Sequence, residues 1–282
     1  MSLRSACLAT VLVPAIAAAQ GISYDGGLSI ATGEYIFNTP TTSWVLSTGL
    51  SARAGRFTLR AGVPLYMQNS TLVTGSGAGM IPSGGPSSGM VRDSGSGGGG
   101  GGGMMSASRR RLPAPASAAT EYELAVGDPI VHLAWHVLDA ATALTAGLAA
   151  KVPLTDTTSY GTGAWDVGAT LSVTRTLGTA SFLGVDVGYW HLGDLPELDF
   201  RDPLLATLSG GTRLGTGWAG SLYVSAATAA LRGYDPPVAA GITLARLSAP
   251  AAWQISGALG LTDTAPELAL SINWRVALRG SR

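Results

Sequence analysis

Residues 268–279 read Leu-Ala-Leu-Ser-Ile-Asn-Trp-Arg-Val-Ala-Leu-Arg, and the order of these residues decides the fold. Leu268, Leu270, Ile272, Trp274, Val276 and Leu278 share one parity, while Ala269, Ser271, Asn273, Arg275, Ala277 and Arg279 share the other. Successive side chains of a strand point to opposite faces, so this is a strand with one apolar face and one small or polar face that carries both arginines. A helical period would mix the two sets.

The same alternation recurs upstream. Phe57, Leu59, Ala61, Val63, Leu65 and Met67 alternate with Thr58, Arg60, Gly62, Pro64 and Tyr66. Val167, Ala169, Leu171 and Val173 alternate with Asp166, Gly168, Thr170, Ser172 and Thr174. Leu183, Val185, Val187 and Tyr189 face away from Gly184, Asp186 and Gly188, and shorter examples surround Leu222 and Ile255. The pattern predicts strands over 21–32, 42–54, 56–67, 122–137, 142–154, 164–176, 180–191, 203–214, 217–230, 238–247, 251–262 and 266–279. Residues 140–150 would also suit a helix by their Ala and Leu content. Gly147 and the Thr142, Thr145 spacing favour strand.

Composition says where such strands belong. Only 12% of the 282 residues are charged, 17 basic against 17 acidic, and the mean hydropathy is +0.30. A soluble chain carries about 25% charge. Past the first 19 residues no uninterrupted apolar run reaches the roughly 18 residues that a transmembrane helix needs. Helices and closed barrels are the only structures that pair every backbone group inside a bilayer. The expected fold is therefore all-β: a transmembrane antiparallel up-and-down β-barrel of about twelve strands. A soluble secreted β-sandwich is disfavoured by the sparse charge and by apolar faces on nearly every strand. Trp44, Trp165, Trp190, Trp218 and Trp274 lie mostly near strand ends, as an interfacial aromatic girdle requires.

The connections sort by length. Turns around Gly55, Asp139-Ala140, Leu177-Gly178-Thr179, Gly215-Thr216 and Ala249-Pro250 are short. Those at 33–41, 68–121, 155–163, 192–202 and 231–237 are longer, and 263–265 completes the second set. With a periplasmic N-terminus, this is the short-turn, long-loop alternation of an outer-membrane barrel.

Residues 1–19 read as a secretory signal peptide: Arg4, an apolar stretch over 6–16, then Ala17-Ala18-Ala19 before Gln20. The barrel would occupy 20–282. Cys7, the sole cysteine, lies within that signal, which excludes disulfides, thiol nucleophiles and cysteine metal sites downstream. Residues 68–121, with Gly97 to Gly103 uninterrupted, read as a low-complexity flexible loop on the extracellular side. No Lys-Ser or Lys-Thr follows the glycines, so they are no phosphate-binding loop. Arg109-Arg110-Arg111 suits either a solvated charge run or contact with anionic lipopolysaccharide.

No catalytic constellation emerges. His132 and His136 share a strand face about 13 Å apart, too far to hold one zinc between them. His191 could serve a lipid-hydrolysing barrel only with a serine on an adjacent strand, and there is no G-x-S-x-G elbow. No cofactor, metal ligand set or nucleic-acid-binding basic excess is expected. Candidate lumen-lining residues are Arg53, Arg60, Lys151, Asp166, Arg175, Asp186, Arg213, Arg275 and Arg279, because ionisable groups at membrane depth face water or each other. Twelve tilted strands give a backbone diameter of about 24 Å. That leaves either a narrow channel or a lumen plugged by side chains.

Residues 122–195 resemble the outer-membrane family named for the meta-pathway of phenol degradation (the MetA-pathway, transporter-like family). The matching residues are Gly127-Asp128, Lys151-Val152-Pro153, Gly161-Thr162-Gly163 with Asp166, Ser172 to Gly178, Gly188-Tyr189 and Gly193. The family carries Thr-Gly-Asp after its Lys-x-Pro, whereas Leu154-Thr155-Asp156 stands here, and the 68–121 insertion lies outside the resemblance. The resemblance implies an outer-membrane barrel that passes small hydrophobic or aromatic compounds. It transfers no binding residue. The expected function is a channel or transporter for a small-molecule solute, surrounded by outer-membrane lipid and lipopolysaccharide and inserted by the barrel-assembly machinery. A plugged structural or surface-interaction barrel and a barrel enzyme acting on lipids are the alternatives.

Overall fold

A computed structural model describes residues 21–70, 72–82, 122–154, 163–193, 200–231, 233–248 and 250–279. Its strands are β1 (Gly21–Gly33), β2 (Thr41–Ala54), β3 (Phe57–Gln68), β4 (Val73–Ser76), β5 (Gly79–Pro82), β6 (Glu123–Val126), β7 (Ile130–Asp139), β8 (Thr142–Lys151), β9 (Asp166–Leu177), β10 (Ser181–His191), β11 (Leu204–Gly215), β12 (Trp218–Ala227), β13 (Val238–Leu247), β14 (Ala251–Gly260) and β15 (Leu268–Arg279). Every pairing is antiparallel. Each wall strand pairs with its neighbour in sequence, and β15 pairs back onto β1, which closes the ring. Closure removes the unpaired edges that a bilayer would not tolerate.

β6 and β7 lie end to end along β3, so the wall is a twelve-strand barrel and each predicted segment supplies one strand. The predicted strand over 122–137 is corrected in one respect: it breaks at Gly127-Asp128-Pro129. Pro129 has no N–H to give the ladder, and its carbonyl accepts from the Val152 N–H at 2.8 Å. The Gly127 N–H is given to the Pro64 carbonyl at 2.8 Å. A side chain on Gly127 would drive into the Tyr66 ring, so only glycine lets the chain approach β3 so closely.

The ladder sorts the side chains as the alternation predicts. Leu28, Ile272, Ile255 and Leu244 lie in one register row across β1, β15, β14 and β13. Their parity is the outward one. Leu208, Leu222, Ile242 and Leu259 on the same outer surface are 60%, 66%, 59% and 60% exposed. So wide an apolar surface would aggregate in water and is the ordinary exterior in lipid. Near its short-turn edge a second row joins Trp218, Arg246, Trp253 and Trp274. The Trp218 and Trp253 rings meet edge-on at 5.0 Å, and the Arg246 guanidinium lies 5.8 Å over Trp218. An arginine at this depth keeps its charge at the boundary while its stem covers apolar surface. Trp190 departs from the predicted girdle: it points inward and is 5% exposed.

Candidate functional site

The long-loop mouth of the barrel holds a small core of its own. The hairpin β4–β5 folds into this mouth, so its residues are not the flexible loop predicted across 68–121. The rest of that insertion, 83–121, lies outside the described residues. Leu72, Val73 and Ile81 of the hairpin segment pack with Tyr35, Ile36 and Phe37 from the loop after β1, and with Trp190, Leu192, Phe200 and Leu231 from later strands and loops. Burial pushes the Tyr35 phenol up to about 12, so it stays neutral.

Polar anchors fix the hairpin in place. The fully buried Gln68 amide donates to the Ser70 and Val73 carbonyls at 3.1 and 3.0 Å and accepts from the Ser43 hydroxyl at 2.7 Å. Asp166 gathers three donors from three parts of the chain. Its Oδ2 accepts from the Gly77 N–H at the hairpin tip, 2.6 Å, and faces Lys151 Nζ at 3.1 Å. Its Oδ1 accepts from the Gly193 N–H at 2.9 Å. Lys151 also lies 3.8 Å from Asp128, whose other oxygen accepts from the Leu154 N–H at 2.9 Å. The three charged side chains are 1–3% exposed or fully buried. Gly127-Asp128, Lys151, Asp166 and Gly193, which carry the sequence resemblance, therefore meet at one place: the latch of the hairpin.

Trp190 lies between two glycines at this latch. A Cβ on Gly168 would sit 2.6 Å from its indole, and one on Gly77 would drive into the same ring. Gly77→Val is expected to lift the hairpin tip off Trp190 at an overpacking cost of about 1–3 kcal/mol. The check is single-channel conductance, which should rise; an unchanged value would mean that the hairpin does not narrow the path.

Below the hairpin a cavity of about 730 Å³ occupies the lumen, bounded at the mouth by Ser76, Gly77, Gly79 and Met80. Asp25, Arg60, His132 and Arg275 line it. Arg275 Nε donates to Asp25 Oδ1 at 2.6 Å, and Arg60 Nε faces Asp25 Oδ2 at 3.4 Å. His136, further toward the short turns, sits between the Thr58 and Thr145 hydroxyls at 3.1 and 3.2 Å. Among the described residues no group of three His, Cys, Asp or Glu could hold a metal ion.

The sequence candidates separate as follows. Arg60 and Arg275 line the cavity together. Lys151 and Asp166 pair directly across the β8–β9 ladder but form the buried latch instead of a wetted wall. Arg53 stands at the short-turn end, 4.0 Å from Asp139. Asp186 accepts from the Ser172 hydroxyl at 2.5 Å. Arg213 holds an inward position of the ladder near the short-turn end, while Arg279 pairs with Ile22 past a register shift and its side chain lies outside the described residues. Arg175 is a correction. It pairs with Leu183 and shares the parity of Leu171 and Val173, so it belongs to the outer face, near the end of β9 where a long side chain reaches the headgroup zone. Two residues escaped the inventory: Asp25, on the inward parity of β1 opposite Arg275, and Asp128 at the strand break.

His191 and Tyr189 lie on the outer face and bond the Asp202 carboxylate at 3.0 and 2.7 Å. The hydrogen bonds from His191 and then Tyr189 hold that carboxyl below its usual range. The strand neighbours of this pair are Val167, Ala169 and Leu204. None bears a hydroxyl, so the ladder gives His191 no serine to activate.

No family model matches the chain, and no curated protein matches it in sequence. A solved outer membrane channel from Pseudomonas putida F1 is similar over 92% of this chain and 95% of its own, with 13% identity and a TM-score of 0.61. The chain has the fold of an outer-membrane β-barrel. Looser likenesses are to the CymD monoaromatic hydrocarbon channel (11% identity, TM-score 0.46, 95% of this chain and 92% of that one) and the NanC porin (8% identity, TM-score 0.46, 91% and 100%). At such identities the likeness is one of fold.

Proposed function

We propose that the chain is an outer-membrane channel that passes a small molecule through the barrel lumen. One observation carries this reading: a closed wall, apolar outside, surrounds a cavity lined by charged and hydrogen-bonding groups. A protein that needed only to anchor itself would fill that interior. The lumen contribution of Arg53, Arg60, Asp186, Arg213, Arg275 and Arg279 belongs to this proposal. So does export by the 1–19 signal, which lies outside the described residues, with long loops toward lipopolysaccharide and insertion by the barrel-assembly machinery. The resemblance to the phenol meta-pathway family supports small hydrophobic or aromatic compounds as the solute.

The docked hairpin favours a second reading, a plugged barrel with a surface role. Liposome swelling separates the two. Purified, refolded protein is expected to admit a small sugar such as arabinose, unlike empty liposomes or heat-denatured protein. No swelling from protein shown to be folded and inserted would reject the channel and leave the plug.

A further inference from the structure

The cavity holds more positive charge than its own carboxylate can answer. Arg60 and Arg275 both turn their Nε toward the single carboxylate of Asp25, which is 17% exposed. Among the described residues Asp25 is the sole acidic one lining the cavity. One aspartate orients two guanidinium groups and neutralises one of them. Arginine stays protonated at any physiological pH, so one positive charge is left over.

The unspent donors face open space. The two arginine side chains are 47% and 48% exposed, and among the described residues neither guanidinium has a hydrogen-bonding or ionic partner beyond Asp25. Their Nη groups are the half of the fork that matches a carboxylate with two parallel bonds. An arginine at membrane depth that no protein carboxylate balances must be answered by water or by an anion. A salt-bridged structural plug would need no second arginine.

The approach to this cluster is mostly apolar. A smaller cavity of about 120 Å³ at the mouth is lined by Ile36, Met80, Ile81 and Leu231, with Asp235 as its acidic residue. Met80 also lines the larger cavity, so the two adjoin at the hairpin. A solute that passes from one to the other meets mostly apolar walls first and a paired guanidinium second.

We infer that the Arg60–Asp25–Arg275 cluster is a binding station for a solute carboxylate, and that the channel selects small monoanionic carboxylates with an apolar body. This rests on the channel reading above. Asp25 acts as a positioning residue: it holds both guanidinium groups through their Nε and keeps the net charge at one, so the anion is held weakly enough to leave.

The test uses refolded full-length protein in a planar bilayer under a gradient of potassium benzoate, with arabinose swelling as a charge-independent check that the pore is open. Reversal potentials should give benzoate a permeability roughly tenfold above potassium, the scale of one charge-assisted hydrogen-bonded contact. Arg60→Gln combined with Arg275→Gln should bring the ratio to near unity, with arabinose swelling still present to show that the pore is open. Asp25→Asn should move it the other way, toward stronger anion preference. Should the double variant fail to show heat-modifiable migration, the triple change that adds Asp25→Asn removes both signs of charge together and should likewise lose the preference. Swelling with no anion preference, or a preference that survives loss of both arginines, overturns the carboxylate station and spares the channel. Neither current nor swelling overturns the channel and this inference with it.

Discussion

Lys151→Met is expected to unseat the β4–β5 hairpin and to cost about 3–5 kcal/mol of folding stability, the scale for removing one partner of a buried ion pair. The reasoning starts from burial. Asp166 is fully buried and Asp128 nearly so, and the Lys151 ammonium lies 3.1 and 3.8 Å from them. Methionine keeps the length of the side chain and removes the charge that both buried carboxylates approach. The cheapest relief is for the hairpin tip to lift, because the Gly77 N–H ties it to Asp166 by a single hydrogen bond, while Gln68 and the Leu72–Val73 core hold its base, and the lifted tip wets the site. Three readouts should then move together: a lower denaturant midpoint, a larger single-channel conductance and protease cleavage within 73–82. Adding Asp166→Asn removes one stranded charge and should recover part of the stability, which a simple packing loss at position 151 would not show. Unchanged midpoint and conductance in Lys151→Met would mean that the latch does not hold the mouth.

The latch also marks where sequence reading reached its limit. Twelve strands could be read because lipid on one side and lumen on the other impose a period of two on every one of them. That period carries the parity of Arg275 directly. It also carried that of Arg175, which follows Val173 onto the outer face; its charge suggested the lumen, and the ladder overrules the charge. The hairpin was hidden by averaging. Leu72-Val73 and Met80-Ile81 flank Gly77-Ala78-Gly79 in the manner of a short hairpin, but they sit at the edge of a glycine-rich stretch whose overall composition argues against order. The pairing of Lys151 with Asp166 needs the β8–β9 register, which no single segment contains. Asp128 enters only because the strand breaks at Pro129, and the motifs that carried the resemblance gave no hint that they meet around one carboxylate.

The second large effect turns on two adjacent residues of β14. Ile255→Arg is expected to destabilise the bilayer-embedded protein by about 2–4 kcal/mol, the cost of an arginine on the lipid face near the midplane. Gln254→Arg, one position earlier, should cost less than about 1 kcal/mol, because ordinary surface substitutions fall within that range. Ile255 is 45% exposed on the outer surface and shares its row with Ile272 and Leu244, midway along the strands. Gln254 lines the lumen cavity opposite Asn273. The two substitutions add the same side chain to the same strand, so strand propensity and unfolded-state effects nearly cancel, and the difference isolates what each face touches. Reversible denaturant titration of protein folded into phospholipid vesicles measures it. A difference of several kcal/mol with this sign requires hydrocarbon outside and water inside. Equal costs would mean that both faces meet the same solvent, which no lipid-embedded barrel allows. The reverse order would put the apolar belt inward, and with it the whole assignment of Arg60, Arg275 and the latch to the lumen.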